Sequence, residues 1–318
     1  MEILVFIQRD NHTLNRNSLE ALTGAQQIAK SINGQVTAVC FGDPHEVIAG
    51  YDIHQVLCVH DQKLESYNPL LFCEAAAQII SRIHPELILF GHTYQTRDWV
   101  PRLSARLNIP FVSDCIAIQH SDGLVLTRQI HQGKINTDLS IAGPVLASVQ
   151  SGAFRLDSLV AGKADLQNVS VDLSQVICTV RPGEKFQESK GSVDLSRAKV
   201  IVSIGRGIGK EENMSIAKAL ADVMDAELGS SRPVVDYGWL PHEHQVGSSG
   251  QTVAPKLYLA LGISGSIQHQ VGMKSSANII AINKDSNAPI FEIADIGVIA
   301  DLFDIVPKIT EKIRAFKR

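Results

Sequence analysis

The sequence predicts an α/β protein of two domains, each built on a parallel, doubly wound sheet, the first with an antiparallel extension. Three observations predict it. Strand-like and helix-like segments alternate in both halves of the chain, the order that feeds parallel strands through crossover helices. Hydrophobic residues make up 45% of the chain while aromatics supply only 5%, a balance that suits aliphatic strands covered by helices. The 318 residues exceed the roughly 150 usual for one domain. A stretch of linker composition, PGEKFQESKGSVDLS (Pro182–Ser196), has no apolar period. The expected division is therefore 1–190 and 191–318, with no internal repeat.

EILVFIQ (Glu2–Gln8) reads as the first strand, and SLEALTGAQQIAKSING (Ser18–Gly34) as a helix stopped by Asn-Gly. QVTAVCFG and QVLCVH are the second and third strands. NPLLFCEAAAQIISRIHP carries Pro near its start and after its end, where a helix tolerates it. ELILFGH (Glu86–His92) is a fourth strand and RDWVPRLSARLN a further helix. From Cys115 to Phe154 the texture becomes β-rich without helix, punctuated by Asp122-Gly123, Gln132-Gly133 and Gly143-Pro144. These runs read as antiparallel strands extending the same domain.

Beyond the linker, KVIVSIGRGIG opens a second α/β unit. IAKALADVMDAELG reads as an amphipathic helix ending at Gly229. SRPVVD, LYLALG, NIIAIN and APIFEIA read as short strands, and VIADLFDIVPKITEKIRAFK as a helical pattern interrupted at Pro307.

Composition excludes some classes. The net charge is −4 and no Lys/Arg run stands out, so the footprint of a nucleic-acid binder is missing. Residues 191–318 hold 14 of the 29 Lys+Arg and 14 of the 33 Asp+Glu, so the acidic excess lies in the first part. No apolar stretch is long enough to span a membrane, and MEILVFIQ reads as a strand, not a signal peptide. The five cysteines, Cys40, Cys58, Cys73, Cys115 and Cys178, form no C-x-x-C pair and read as buried free thiols of a cytoplasmic protein. No metal-ligand spacing stands out, and His242 and His244 read as solvated loop residues.

Four loops of the second unit carry candidate chemistry. VIVSIGRGIGKEE runs a strand into Gly205, Gly207 and Gly209. It approaches G-x-G-x-x-G, but the third glycine is one position early and Lys210 stands where glycine belongs. A strand-to-helix turn needing glycine serves it equally well. Ser231 and Arg232 follow a helix end, QVGSSG (Gln245–Gly250) offers consecutive hydroxyls, and GISGSIQH has a strand–glycine–helix layout fit for a pyrophosphate. Read singly, each has a bland reading: a turn, a loop arginine that is usually a solvated charge, or a histidine that is more often structural. Together they place glycines, hydroxyls, arginines, a Gln and a His at strand ends, where doubly wound sheets hold nucleotides.

The segment LYLALGISGSIQHQVGMKSSANIIAINKDSNAPIFEIADIGVIADLFDIVP (257–307) closely resembles the signature of the electron transfer flavoprotein alpha subunits. The first part, with RDWVPRLSARLN and IHQGK, fits that family more loosely. The resemblance implies a Rossmann-like, FAD-binding C-terminal domain and an N-terminal domain facing a beta subunit in a heterodimer. It places Arg206 at the family's GRG arginine and Ser231–Arg232 at its Ser-Arg pair, with Arg232 against the isoalloxazine. Such a fixed cation stabilises the negative charge of a reduced flavin. Gln245, Val246, Gly247, Ser248 and Ser249 match the loop past the ring. The family usually has Gln-Thr where this chain has Ser248-Ser249; Ser249 keeps the hydroxyl that bonds flavin N5 but lacks the methyl that restricts its rotamer.

Ser264, Gly265, Ser266, Ile267, Gln268 and His269 match the phosphate and ring loop, with His269 near the flavin C2 carbonyl. Asn283 matches a position near the phosphates, and Asp301 and Leu302 the adenosine end. Lys284 and Asp285 follow the family pattern with a structural reading. Arg232, Ser249 and His269 are thus the residues expected to tune the flavin. The implied work is electron transfer from acyl-CoA dehydrogenases or similar flavin dehydrogenases to a membrane quinone oxidoreductase or other acceptor. An alternative is an electron-bifurcating complex using NADH and ferredoxin, in which the beta subunit carries FAD instead of AMP. An NAD(P)-dependent enzyme using GRGIG is disfavoured by the displaced glycine, and a subunit without flavin by the joint presence of Arg232, Ser249 and His269.

Overall fold

The computed structural model describes residues 1–10, 13–43, 45–120, 123–131, 133–183 and 193–317. Most of the expected linker, together with Asp122 and Gln132 of the expected turns, lies outside the described residues. The chain divides into two units, Met1–Lys185 and Phe186–Arg318.

The first unit runs β1 (Glu2–Ile7), a small hairpin β2 (Arg9–Asp10) and β3 (Thr13–Leu14), α1 (Arg16–Ile32), β4 (Gln35–Phe41), α2 (His45–Ala49), β5 (Gln55–Val59), α3 (Pro69–Ile83), β6 (Leu87–Gly91), α4 (Tyr94–Leu107), β7 (Phe111–His120), β8 (Leu124–Ile130), β9 (Ile135–Ile141), β10 (Val145–Val149) and β11 (Asp165–Asn168). Local chemistry sets the helix ends. Asn15 caps α1 by accepting from the Asn17 and Ser18 amides, and Asn33 closes it in the left-handed conformation at φ 53°. Asn68 caps α3 ahead of Pro69.

The sheet order is β11-β5-β4-β1-β6-β10-β7-β8-β9. Strands from β11 to β7 are parallel to their neighbours, and β7-β8-β9 are antiparallel. This corrects one expectation: VLASV (β10) is not part of the antiparallel extension. All five of its residues are buried, and a short continuous apolar run belongs in a parallel sheet interior. In β1, Ile3 and Val5 face α1 while Leu4 and Phe6 face α3 and α4, so one strand feeds two cores by its period of two.

The second unit runs β12 (Val200–Ile204), α5 (Met214–Met224), β13 (Glu227–Ser230), α6 (Arg232–Asp236), β14 (Leu257–Leu261), α7 (Ile267–Met273), β15 (Ile279–Asn283), β16 (Ile296–Ile299) and α8 (Leu302–Phe316). All five strands are parallel, in the order β13-β12-β14-β15-β16. One core joins Val202, Ile204, Leu259 and Leu261 to α5 and α8. The other joins Ile201, Tyr258, Ala260 and Ala281 to Met273 of α7 and to Ile290.

Four expectations change here. The helix of IAKALADVMDAELG stops at Met224, because Asp225 turns left-handed at φ 53°, and Glu227–Ser230 is already a strand. SRPVVD is one helical turn, with Pro233 in its first turn where no N–H is needed. APIFEIA is a 3-10 turn at Pro289–Glu292, and the strand lies after it, at Ile296–Ile299. Pro307 sits inside a continuous α8. Among the described residues, no helix is long and apolar enough to cross a membrane. Four cysteines are buried, and Cys178, against expectation, is exposed. Burial pushes the Cys40 and Cys115 thiols up to about 12, which suppresses the reactive thiolate.

Candidate functional site

The order of the second sheet reverses at β12: the chain passes from β12 to β13 on one side, then returns to β14 on the other. Above the carboxyl ends of these strands, where such a reversal opens a crevice, lies a cleft of about 720 Å³, within the 300–1,000 Å³ range of ligand sites.

Its floor is made by two glycine loops in close contact. The Gly205 amide donates to the Leu261 carbonyl at 2.8 Å, and the Gly207 amide to that of Gly262 at 2.9 Å. A Cβ on Gly205 would stand 2.2 Å from the Gly262 oxygen. GRG and GIS therefore need glycine because one backbone crosses another. Only Gly209 of the first loop has positive φ, at 82°. The Asn283 side chain ties the floor to β15 by donating to the Ile263 carbonyl at 2.9 Å.

The walls come from three loops. Ser231 is buried, and its amide donates to the Ile204 carbonyl at 2.9 Å. Arg232, first residue of α6, is 68% exposed, with Nε 3.4 Å from Asp236 Oδ2. A weak exposed pair of this kind leaves the guanidinium available to an anion. The Gln245 side-chain amide donates to Ser249 Oγ at 2.9 Å, which leaves the serine proton to point elsewhere. The Val246 amide donates to the Ser230 carbonyl at 2.9 Å, and that of Ser248 to the Gln268 carbonyl at 2.8 Å, so the QVGSSG loop is held at both ends.

His269 is buried in α7. Its Nε2 lies 2.9 Å from the Tyr258 hydroxyl, and its Nδ1 is buried without a hydrogen-bond partner. Burial lowers its pKa to about 4; the Val246 carbonyl opposes this but makes no bond of acceptable geometry to Nδ1. The imidazole is neutral at pH 7.

The cleft brings together Arg206, Ser231, Arg232, Gln245, Val246, Gly247, Ser249, Ser264, Gly265, Ser266, Gln268, His269 and Asn283. Four expected residues lie off its walls. Ser248 is exposed and engages the site through its amide alone. Ile267 is the half-buried first residue of α7. Asp301 caps α8 by accepting from the Phe303 amide at 2.9 Å. Leu302 is buried in the core beneath. Sequence reasoning missed Asp236, and it gave Lys284 and Asp285 a structural reading, yet all three line the cleft. Their signal was position: each lies within a few residues of a strand end already singled out. Arg206, Arg232 and Lys284 against Asp236 and Asp285 leave the cleft one positive charge in excess.

His244, expected in solvent, is half-buried, with Nδ1 2.6 Å from the Leu228 carbonyl. In the first unit, Asp43, His45 and His60 come together with ligand atoms within 4.8 Å of one another. A tetrahedral site with bonds of about 2.0 Å has edges near 3.3 Å. His45 Nδ1 lies 3.1 Å from Asp43 Oδ1, and its Nε2 lies 3.0 Å from the Cys40 carbonyl.

The arrangement fits FAD on two observations. An orphaned buried nitrogen waits for a ligand acceptor, since buried polar groups are normally paired. Arg206, Lys284, Ser264 and Ser266 line the same cleft, the cations and hydroxyls that a pyrophosphate calls for. Comparison with known proteins agrees. Residues 194–274 match the family model described as the electron transfer flavoprotein FAD-binding domain, and residues 3–174 match that of the electron transfer flavoprotein domain. The electron transfer flavoprotein subunit alpha of Thermoanaerobacterium thermosaccharolyticum is 35% identical, covering 99% of this chain and 98% of its own. That of Syntrophomonas wolfei is 34% identical over 98% of each. The acryloyl-CoA reductase electron transfer subunit beta of Anaerotignum propionicum is 31% identical over 99% of this chain and 96% of its own. Arg232, Ser249 and His269 line one cleft in the unit that carries the FAD-binding domain match, and the chain belongs to the electron transfer flavoprotein alpha-subunit family.

Proposed function

We propose that this chain is the alpha subunit of a heterodimeric electron carrier, holding FAD in the second unit's cleft and relaying electrons between partner proteins. The observation that carries the reading is the convergence of an available guanidinium (Arg232), a hydroxyl with a free proton (Ser249) and an unpaired imidazole nitrogen (His269) on one cleft. Bound there, FAD supplies one- and two-electron chemistry. The chain's own residues supply position and field. Arg206, Lys284, Ser264 and Ser266, with the backbone at Gly265, take the pyrophosphate. Arg232 offers a fixed cation and Ser249 and His269 offer donors to the ring, groups that favour added negative charge without reorganising. Asn283 holds the floor in register.

The donor is a flavin dehydrogenase of the acyl-CoA dehydrogenase kind, and the acceptor a quinone oxidoreductase or comparable carrier, in the cytoplasm. The first unit presents its face to a beta subunit, with the domain boundary near residue 190. The similarity to a relative named as an acryloyl-CoA reductase electron transfer subunit favours a second reading, in which the same alpha flavin serves a bifurcating complex fed by NADH. The test is to co-express the chain with its beta subunit and count FAD and AMP released per heterodimer. One FAD and one AMP support the ordinary carrier. Two FAD without AMP support bifurcation. No flavin after reconstitution refutes both.

A further inference from the structure

We infer that Tyr258 is a positioning residue for the cleft: its hydroxyl holds His269 in the tautomer that presents Nδ1–H to the cofactor. This rests on the FAD reading proposed above. Tyr258 is 0% exposed in the middle of β14, within an otherwise aliphatic strand. Phenylalanine would fill that space without a polar atom to satisfy, and a buried tyrosine hydroxyl ordinarily has a partner. Here the partner is His269 Nε2 at 2.9 Å. The period of two along β14 turns Tyr258 toward α7, where His269 is the third residue.

The direction of this hydrogen bond decides what the cleft receives. A neutral imidazole has one donor and one acceptor nitrogen, and the partner of one fixes the other. If Tyr258 donates to Nε2, the ring proton sits on Nδ1, the nitrogen left without a protein partner. If Tyr258 accepts, Nδ1 carries only a lone pair, and His269, which lines the cleft, has no N–H left to offer a carbonyl or phosphate oxygen. Two neighbours favour the first arrangement. Ser203 Oγ, buried on β12 without a partner of good geometry, lies where its hydroxyl favours negative charge on the Tyr258 oxygen, as a donor to that oxygen does. The Val246 carbonyl makes no hydrogen bond of good geometry to Nδ1, but its dipole still favours a proton on the ring. The polar order is thus Ser203 to Tyr258 to His269 to cofactor. No charged side chain enters the shift of His269, which comes from burial and the Val246 carbonyl.

The test is nitrogen NMR of the full-length chain, labelled on histidine and purified with its beta subunit and FAD. His269→Gln identifies the signal among the 11 histidines. At pH 7 the expected spectrum has a protonated Nδ1 and an unprotonated Nε2, with FAD removal moving Nδ1 and leaving Nε2 in place. In Tyr258→Phe the preference collapses toward a mixture, and FAD dissociates about tenfold more readily, the usual effect of losing one buried hydrogen bond. A tyrosine that only packs would weaken the fold without moving the tautomer. A protonated Nε2 in the unmodified protein overturns the inference, whether or not the variant folds. So does a Tyr258→Phe protein with an unchanged tautomer. If His269→Gln binds FAD as tightly as the parent, the cofactor role of His269 fails instead, while the tautomer spectrum still decides what Tyr258 does.

Discussion

Replacing Gly205 by alanine tests the crossing on which the cleft is built. The added Cβ would lie 2.2 Å from the Gly262 oxygen, and 2.6 Å from its carbonyl carbon and from Ile263 Cα. Ordinary contact begins near 3.4 Å, so the two loops must part by about 1 Å, and these neighbours are backbone with no rotamer to change. Parting stretches the Gly205–Leu261 and Gly207–Gly262 bonds, now 2.8 and 2.9 Å, beyond hydrogen-bond range. Two lost bonds at about 1 kcal/mol each and overpacking of about 1–3 kcal/mol make a total of about 3–5 kcal/mol. That is a large share of a domain's usual stability of about 5–15 kcal/mol. The assay is urea unfolding followed by Trp239, the one tryptophan of the second unit, in a Trp99→Phe background that silences the first. The midpoint should fall steeply and FAD affinity with it. Gly183→Ala, where an added Cβ meets nothing within 4 Å, should change neither. A Gly205→Ala protein within 1 kcal/mol of its parent would refute the crossing as the reason for the glycine.

Other outcomes follow from the same geometry. The pKa of His269 falls from 6.5 to about 4 on folding, so between these values the unfolded chain binds a proton that the folded one does not. Stability of FAD-free protein should therefore drop as pH falls from 6.5 to 4, by at most about 3 kcal/mol. His269→Gln should remove that part of the slope, and parallel profiles would contradict the burial argument. Asp236→Asn removes one of the two negative charges facing three positive ones in the cleft; stability should stay within about 0.5 kcal/mol, while pyrophosphate and FAD bind more tightly, most clearly at low salt. Pro307→Ala restores an amide able to bond the Phe303 carbonyl within the continuous α8. It should stabilise the second unit by about 1 kcal/mol, the worth of that one hydrogen bond, read as a shift of the denaturation midpoint.

What could be read in the sequence depended on the length of each signal. Capped helices such as α1 and α3, and aliphatic strands such as β1 and β6, declare themselves through period and punctuation over many residues. Ser231–Asp236 and Ala288–Ala294 are too short for periodicity to separate a strand from a helical turn. Proline inside each apolar triplet pointed to the turn. β13, with Leu228 as its one large apolar residue, hides behind the stronger helical pattern of α5. β10 carried its parallel pairing in full burial, which composition cannot show. Most cleft residues were legible because they cluster at strand ends. Tyr258 was not: it reads as another buried strand residue until α7 brings His269 to its hydroxyl. Lys284 and Asp285 follow a residue already chosen, and only the shape of the β15 loop turns them to the cleft.

The proposed cofactor position puts FAD across the glycine floor with its ring against His269. Hydrogen exchange of the chain in complex with its beta subunit, with FAD bound and removed, tests it most directly. FAD in that position slows exchange at residues 245–251 and 262–269, with little change in β1 to β6 of the first unit. Protection confined to the first unit, or none in those two loops, would contradict it.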